Sequence, residues 1–496
     1  MTVAPVNGGI MGLSNKPMGK VLANPASPPF AAAASMTRPS ASEPVSVLAG
    51  RGSVVPLWAA GMLLVALGGI AGCAVTRDPM NEGRQAFFQG DLETAQSHFV
   101  SVADDDRRWA AAANLDLAIA QLAAGEPAEA EHLLREARDA FDQQPKFNPL
   151  TETHALLTDD TKRTYSAAGY EQVMLRAMLS MCSLAKDGSD AESYAMQAQM
   201  RQTELAQQAE ERGLKVQQAF QPVALAPYLR GVLRESTHHD YDDAAKAYQL
   251  VSLWQPSFSP AEGDFQRASE GLHCQPGNGV LYVFACVGRG PVLEEQVAQT
   301  TSDALRIASL AVDSASGQTA LPRISSVPIP AVVIPASPAF GVGVRVNDRP
   351  VAATATLTDV AQLALAQSEA ERPWTIARAV MRRVAKETAI KTTTNALNMD
   401  GQAAGIVAFA AGSVWESREK ADLRCWGLLP REIQVARIEL PAGAQKIDLQ
   451  VLGSQALPIG PAATQHVVIR DGGNSYLLVF APAEKIVAAV QQQSTY

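Results

Sequence analysis

Apolar residues recur three and four apart, the spacing of one helix face, from Met80 to about residue 272, and then give way to runs with a period of two. Four related turns divide the first stretch into helical hairpins. They are Gly90-Asp91-Leu92-Glu93-Thr94-Ala95 with Phe99, Gly125-Glu126-Pro127-Ala128-Glu129-Ala130 with Leu134, Lys186-Asp187-Gly188-Ser189-Asp190-Ala191 with Ala195, and His239-Asp240-Tyr241-Asp242-Asp243-Ala244 with Tyr248. Each keeps an acid four residues before its alanine. Such an acid suits the start of a second helix, where Asp91, Asp187 and Asp240 can accept free backbone N–H groups. Glu126 is the weaker cap, helped by Pro127 at the first helical position. Ala95, Ala130, Ala191 and Ala244 let helices approach, and Phe99, Leu134 and Tyr248 fill the space beside them. Residues 166–184 and 189–212 predict long amphipathic helices.

After about Pro276 the apolar runs are short: Val280–Val287, Phe340–Val346, Gln434–Leu440, Lys446–Val451 and Tyr476–Phe480 predict strands. Turn signals at Pro441-Ala442-Gly443 and Asp471-Gly472-Gly473-Asn474 separate the last three, which are expected to form a small antiparallel meander or sandwich. Between the strands, Asp359–Gln367 and Trp374–Leu397 predict helices, the second with Ile376, Val380, Val384 and Ala385 on one face. Arg378, Arg382, Arg383, Lys386 and Lys391 share that helix and read as a solvated face. The fold class expected is α+β: a helical array over 80–272, a mixed domain of antiparallel strands with inserted helices over 277–482, and a helix or tail over 483–496. The hairpins of the array resemble tetratricopeptide repeats, helix-turn-helix units that stack into a solenoid and offer a groove to a peptide or partner helix.

The amino-terminal pattern differs again. Residues 1–50, with Asn24-Pro25-Ala26-Ser27-Pro28-Pro29 and Pro39-Ser40-Ala41-Ser42-Glu43-Pro44, are expected to be disordered, because they offer too little apolar surface to offset chain entropy. Between Arg51 and Arg77 no charge appears, and the apolar run Trp58–Leu67 is followed by small residues, the layout of a secretory signal over 51–73. Its end, Ile70-Ala71-Gly72-Cys73, resembles the lipobox of bacterial lipoproteins, which implies cleavage before Cys73 and lipidation of its thiol. Ala74, in place of aspartate, favours the outer membrane by resemblance to lipoprotein sorting in Gram-negative bacteria. An uncleaved membrane-spanning helix is the competing reading.

Composition narrows the chemistry. The 41 basic and 50 acidic residues give a net charge of −9, which repels phosphate backbones and argues against a nucleic-acid partner. Five cysteines in 496 residues make no disulfide scaffold. Cys182 lies in an apolar helix and reads as core, whereas Cys274, Cys286 and Cys425 leave pairing open. The seven histidines show no metal-ligand spacing, and His238-His239-Asp240 reads as an exposed turn. Gly341-Val342-Gly343 has no following helix and is no dinucleotide fingerprint. Glu294 and Glu295 would point to opposite faces of a strand. No catalytic, cofactor-binding or metal residue is assigned, and no cofactor is expected. The densest polar and aromatic cluster, Glu416 to Pro430, places Asp422 and Arg424 two apart before Trp426, an arrangement that suits an ion pair and an aromatic plug joining helix to sheet.

That cluster, with Leu157-Thr158-Asp159-Asp160-Thr161, Tyr170-Glu171-Gln172-Val173-Met174, Pro227-Tyr228-Leu229-Arg230-Gly231 and Gly279-Val280-Leu281-Tyr282-Val283, resembles an uncharacterised family of tetratricopeptide-like bacterial lipoproteins over roughly residues 80–482. The resemblance implies a lipid-anchored envelope protein and a link to cell-wall assembly, and supplies no catalytic residues. The expected function is therefore a non-catalytic, membrane-anchored scaffold for an envelope protein partner. An envelope hydrolase or assembly pilot acting through the second half is the alternative.

Overall fold

The structure is a computed structural model that describes residues 78–144, 165–211, 214, 220–316, 324–396 and 421–493. The expectations for residues 1–50 and for the signal and lipobox at 51–73 fall outside what it describes, as do those for the side chains of Lys386 and Lys391.

The helical pattern yields, in order, α1 (Asn81–Gln89), α2 (Leu92–Asp105), α3 (Ala110–Ala123), α4 (Pro127–Gln143), α5 (Gly169–Lys186), α6 (Ala191–Glu211), α7 (Leu225–Glu235), α8 (Tyr241–Trp254) and α9 (Pro260–Ser269). Each packs on the next in the chain. Gly90 and Gly125 close the first two hairpins at φ of +79° and +84°, a conformation only glycine adopts freely. Ala95, Ala130, Ala191 and Ala244 are buried, as are Phe99, Leu134 and Tyr248.

The four acids do not share one role. Asp91 caps α2 by accepting from Thr94 N at 3.1 Å. Glu126 stands before Pro127 without capping, and accepts from the Gln96 carboxamide at 3.0 Å. Asp187 ends α5 and accepts from Ser189 N, because α6 starts four residues later. Asp240 does hold the cap position of α8, but its carboxylate turns to Arg234 at 3.1 Å. A charged donor within reach outcompetes a neutral backbone N–H.

The second half contributes β1 (Asn278–Val287), β2 (Val292–Gln299), α10 (Ser302–Ser316), β3 (Ser326–Val333), β4 (Gly341–Val346), β5 (Arg349–Ala353), β6 (Ala355–Asp359), α11 (Val360–Ala396), β7 (Glu432–Pro441), β8 (Gly443–Leu452), β9 (Pro458–Ile469), β10 (Asn474–Ala481) and β11 (Ala488–Gln491). Together with the array it gives an α+β fold. The strands form a five-stranded sheet of order β11-β10-β1-β7-β6, a four-stranded sheet of order β5-β4-β8-β9, and a separate β2-β3 pair.

Alternation along the central strands explains how the layers stack. Val280, Tyr282, Phe284 and Cys286 of β1 join the core shared with the helices, and so do Tyr476, Leu478 and Phe480 of β10. Leu281, Val283, Ala285 and Val287, with Leu477, Val479 and Ala481, face a second core against Val344, Ile447, Leu449 and Val451 of the four-stranded sheet. The order is helices, five-stranded sheet, four-stranded sheet. A strand covered on both sides reads as continuously apolar, which is the pattern of β1 and β10.

Four details differ from the sequence reading. Of the meander or sandwich expected for the last three predicted strands, the sandwich is found, but it is not all antiparallel: β7 pairs with β1 and β6, β8 with β4 and β9, and β10 runs parallel to β1. The Pro441–Gly443 turn thus carries the chain from one sheet to the other. The two helices expected around residue 370 are one, α11, which continues through Pro373 because Ile376, Ala377 and Val380 are held in a third core with Ala304 and Ala308 of α10 and Ile329 of β3. Arg382 in α11 is buried, so this helix presents no simple solvated face. Residues 488–491, read as helix or tail, are the edge strand β11, fixed by Val490 entering the core.

Candidate functional site

A groove on the inner side of a helical array is where a ligand would be sought, and here that side is filled. The inward helices α3, α5 and α7 are buried nearly throughout, α5 from Val173 to Ala185. They lie under the five-stranded sheet and under the irregular segment 421–431.

That segment, which turns at Gly427 and Leu428, is clamped by the helices. Asp116 of α3 and Glu171 of α5 each direct a carboxylate at its backbone: Glu171 Oε1 accepts from Trp426 N, and Asp116 Oδ1 from Leu428 N, both at 2.9 Å. The Trp426 indole is fully buried and donates to Leu115 O at 3.0 Å. Arg84 of α1 spans the two partners, with Nε 2.7 Å from Asp116 Oδ2 and Nη2 2.9 Å from Cys425 O. Gly427 permits this approach, since a Cβ there would lie 2.2 Å from the Arg84 guanidinium. Arg424 pairs with Asp422 through Nε at 2.8 Å and Nη2 at 2.7 Å, and its Nη1 reaches Arg108 O at 2.6 Å. Glu171 Oε2 accepts from Tyr165 Oη and Ala168 N, both at 2.7 Å.

Every carboxylate oxygen of Asp116 and Glu171 is therefore used. Burial nevertheless pushes both carboxyls above their ordinary range, because the hydrogen bonds and Arg84 offset only part of the lost hydration. Sequence reasoning singled out Asp422, Arg424 and Trp426, quoted Glu171 only within a motif of the resemblance without giving it a role, and missed Arg84 and Asp116. A signal existed: Asp116 interrupts the apolar run Leu115–Ile119, where a charge has to be paired.

A second buried network ties the far end of the array to the sheet. Glu235, the last residue of α7, is fully buried. Its oxygens accept from Arg267 Nε at 2.7 Å and Nη2 at 2.9 Å, from Tyr248 Oη at 2.7 Å, and from His273 Nδ1 at 3.0 Å. Arg437 of β7 adds Nη2 at 3.4 Å, and donates to His273 O. Burial alone would raise the Glu235 carboxyl, but Arg267, His273 and Arg437 overcome it and hold the pKa at about 2.

Residues 86–151 match a family model described as a tetratricopeptide repeat. The described part of this match runs from within α1 to the end of α4. No curated protein and no solved structure matches the chain. Repeat units of this kind are generally protein-interaction modules. In this chain the repeat-like hairpins have their inner side covered by its own sheet, so the groove expected for a peptide is occupied in cis.

The remaining candidates are placed plainly. His238 and His239 are exposed, and His238 Nε2 lies 2.7 Å from Gly472 O. Among the described residues no group of three or more His, Cys, Asp or Glu is arranged to hold a metal ion. Cys182, Cys274, Cys286 and Cys425 are free thiols. Glu295 of β2 accepts from Ala421 N at 2.9 Å, tying the β2-β3 pair to the start of the 421–431 segment. Among the described residues no helix is long and apolar enough to cross a membrane. Ile70, Ala71, Gly72 and Cys73 lie outside the described residues.

Proposed function

We propose that this protein is a non-enzymatic interaction scaffold of the cell envelope, tethered through a lipid on Cys73 and engaging a protein partner with the outward helices of its array. The observation that carries the reading is the tetratricopeptide repeat match over 86–151. With the inner side covered, α2, α4, α6 and α8 retain exposed faces, including Val100, His132 and Met200. The lipobox pattern Ile70-Ala71-Gly72-Cys73 supplies the tether, and the family resemblance supplies the link to cell-wall assembly.

Photo-crosslinkers at His132 and Met200, compared with one at Lys446 on the four-stranded sheet, test the docking face in cells. One envelope protein captured from both helical positions and not from Lys446 is the expected result. Capture from Lys446 alone would overturn it. Incorporation of labelled fatty acid in wild type but not in Cys73→Ala is expected of the anchor, and equal incorporation would refute it.

A further inference from the structure

A cavity of about 360 Å³ lies where β7 loses its neighbour in the five-stranded sheet. It touches Val435, which faces the core under the helices, and Ala436, which faces the core between the sheets. Successive residues of a strand point to opposite faces, so a space that reaches both lies past the edge of the strand. On the helical side it is walled by Tyr228, Phe258 and α9 at Gly263, and on the other by Ala352 and Ala353 of β5. Gly263 and Ala353 are exposed, so the rim of this slot meets solvent.

The direction of the β7 backbone follows from its flanks. Ala442 N donates to Gly277 O at 3.0 Å on the β1 side, and Arg431 O accepts from Ala361 N at 3.1 Å on the β6 side. The pairing with β1 runs without a bulge, so backbone groups alternate along β7 and its odd-numbered residues turn toward β6. β6 pairs only with residues 432–435, because the chain just before it belongs to the other sheet, where Thr354 N donates to Val342 O at 2.9 Å. Arg437 and Glu439 thus turn an N–H and a C=O each toward the side that β6 leaves open, and among the described residues no hydrogen bond reaches these groups. The Arg437 side chain is taken by Glu235, His273 O and Tyr282, so the open capacity is that of the backbone.

We propose that an extended segment of a partner protein adds to this edge as a short strand, antiparallel to β7 in the line of β6, with one of its residues exchanging both backbone hydrogen bonds with Arg437. A donor and an acceptor on one residue, pointing the same way, are matched by one residue of another extended chain. Residues paired in this way share a face, so the partner's paired side chain turns with Arg437 toward Tyr228 and Phe258, and its two neighbours turn toward Ala352 and Ala353. The helical side has room, since a Cβ at Gly263 would meet nothing within 4 Å, whereas the β5 side is lined by methyl groups. The segment that fits is therefore uncharged, with a residue of about the size of valine between two small ones. This edge stands apart from the outward helical faces and the Cys73 anchor, so its failure and theirs are separable.

Ligand-observed saturation-transfer NMR on the full chain, with the peptide acetyl-Thr-Ala-Val-Ala-Thr-amide at about 1 mM, reads weak binding of this kind directly. N-methylation then separates strand addition from a side-chain pocket. Methylating the valine nitrogen removes the donor to Arg437 O and should weaken binding at least about tenfold, while methylating both alanine nitrogens, which face away from β7, should leave it within about twofold. Gly263→Leu fills the slot from α9, in an exchange that favours the helix, and should abolish the signal. Ala353→Phe fills it from β5 and serves if Gly263→Leu fails to fold. No binding of the parent peptide, equal effects of the two methylation patterns, or undiminished binding by a folded blocking variant would overturn the proposal. A photo-crosslinker at Ala353 in cells distinguishes the occupants: a link to another protein that the parent peptide suppresses supports a partner's segment, and a link within the chain or to a second copy overturns it.

Discussion

The two buried polar networks do the same mechanical job at opposite ends of the array, and they are built differently. Around Asp116 and Glu171, four carboxylate oxygens meet backbone N–H groups, a tyrosine and one arginine, and both carboxyls are shifted upward by burial. Around Glu235, two arginines and a histidine converge on one carboxylate and shift it down to about 2. Next to it, Asp264 is shifted upward by burial and keeps an idle oxygen. The first network is closed, with directional bonds that fix one segment in one register. The second is held by charge and has capacity to spare, and a cavity adjoins it.

The largest test of the contrast is Trp426→Ala. Removing a fully buried indole from the closed network should cost about 4 kcal/mol, read as a lower denaturant midpoint, and a cost under about 1 kcal/mol would show that the segment is only loosely held. Glu235→Gln should cost about 3 kcal/mol at neutral pH, because two guanidiniums lose their buried partner. The folded-state pKa of Glu235 is depressed below its unfolded value, so its contribution is present above about pH 4.5 and is lost as pH falls toward 2. Unfolding curves of wild type and Glu235→Gln should therefore converge across that window and stay parallel above it. Asp116→Asn should cost about 2 kcal/mol, since it weakens one bond to Arg84 and confronts either Arg84 or Leu428 N with an NH2. The same exchange at Asp264 should change stability by about 0.5 kcal/mol, because an amide can keep the oxygen facing Arg267 and place its NH2 where no partner stands. Equal costs at the two positions would erase the distinction between a closed and an open network.

Much of the array was legible in the chain. The Ala95, Ala130 and Ala244 positions, with Phe99, Leu134 and Tyr248, are spaced by the helix period, and local periodicity survives folding unchanged. Strand partners were not, because alternation reports that a strand has covered faces and says nothing about which strand lies beside it. The Pro441–Gly443 turn reads as a hairpin and is in fact a crossing between sheets. The strands β2, β3, β5, β6, β9 and β11 carry exposed or mixed faces and gave weak signals. Asp422, Arg424 and Trp426 stood out by density, whereas Arg84, Asp116 and Glu171 became meaningful only once residues more than 250 apart met.

The parallel register of β1 against β10 has a consequence during synthesis. Tyr282 faces Tyr476 across that pair, so the middle of the five-stranded sheet cannot close until nearly two hundred further residues have emerged. Until those residues are present, the apolar side of the hairpins that the sheet covers in the folded protein has no sheet to cover it, and exposed surface of that kind favours aggregation.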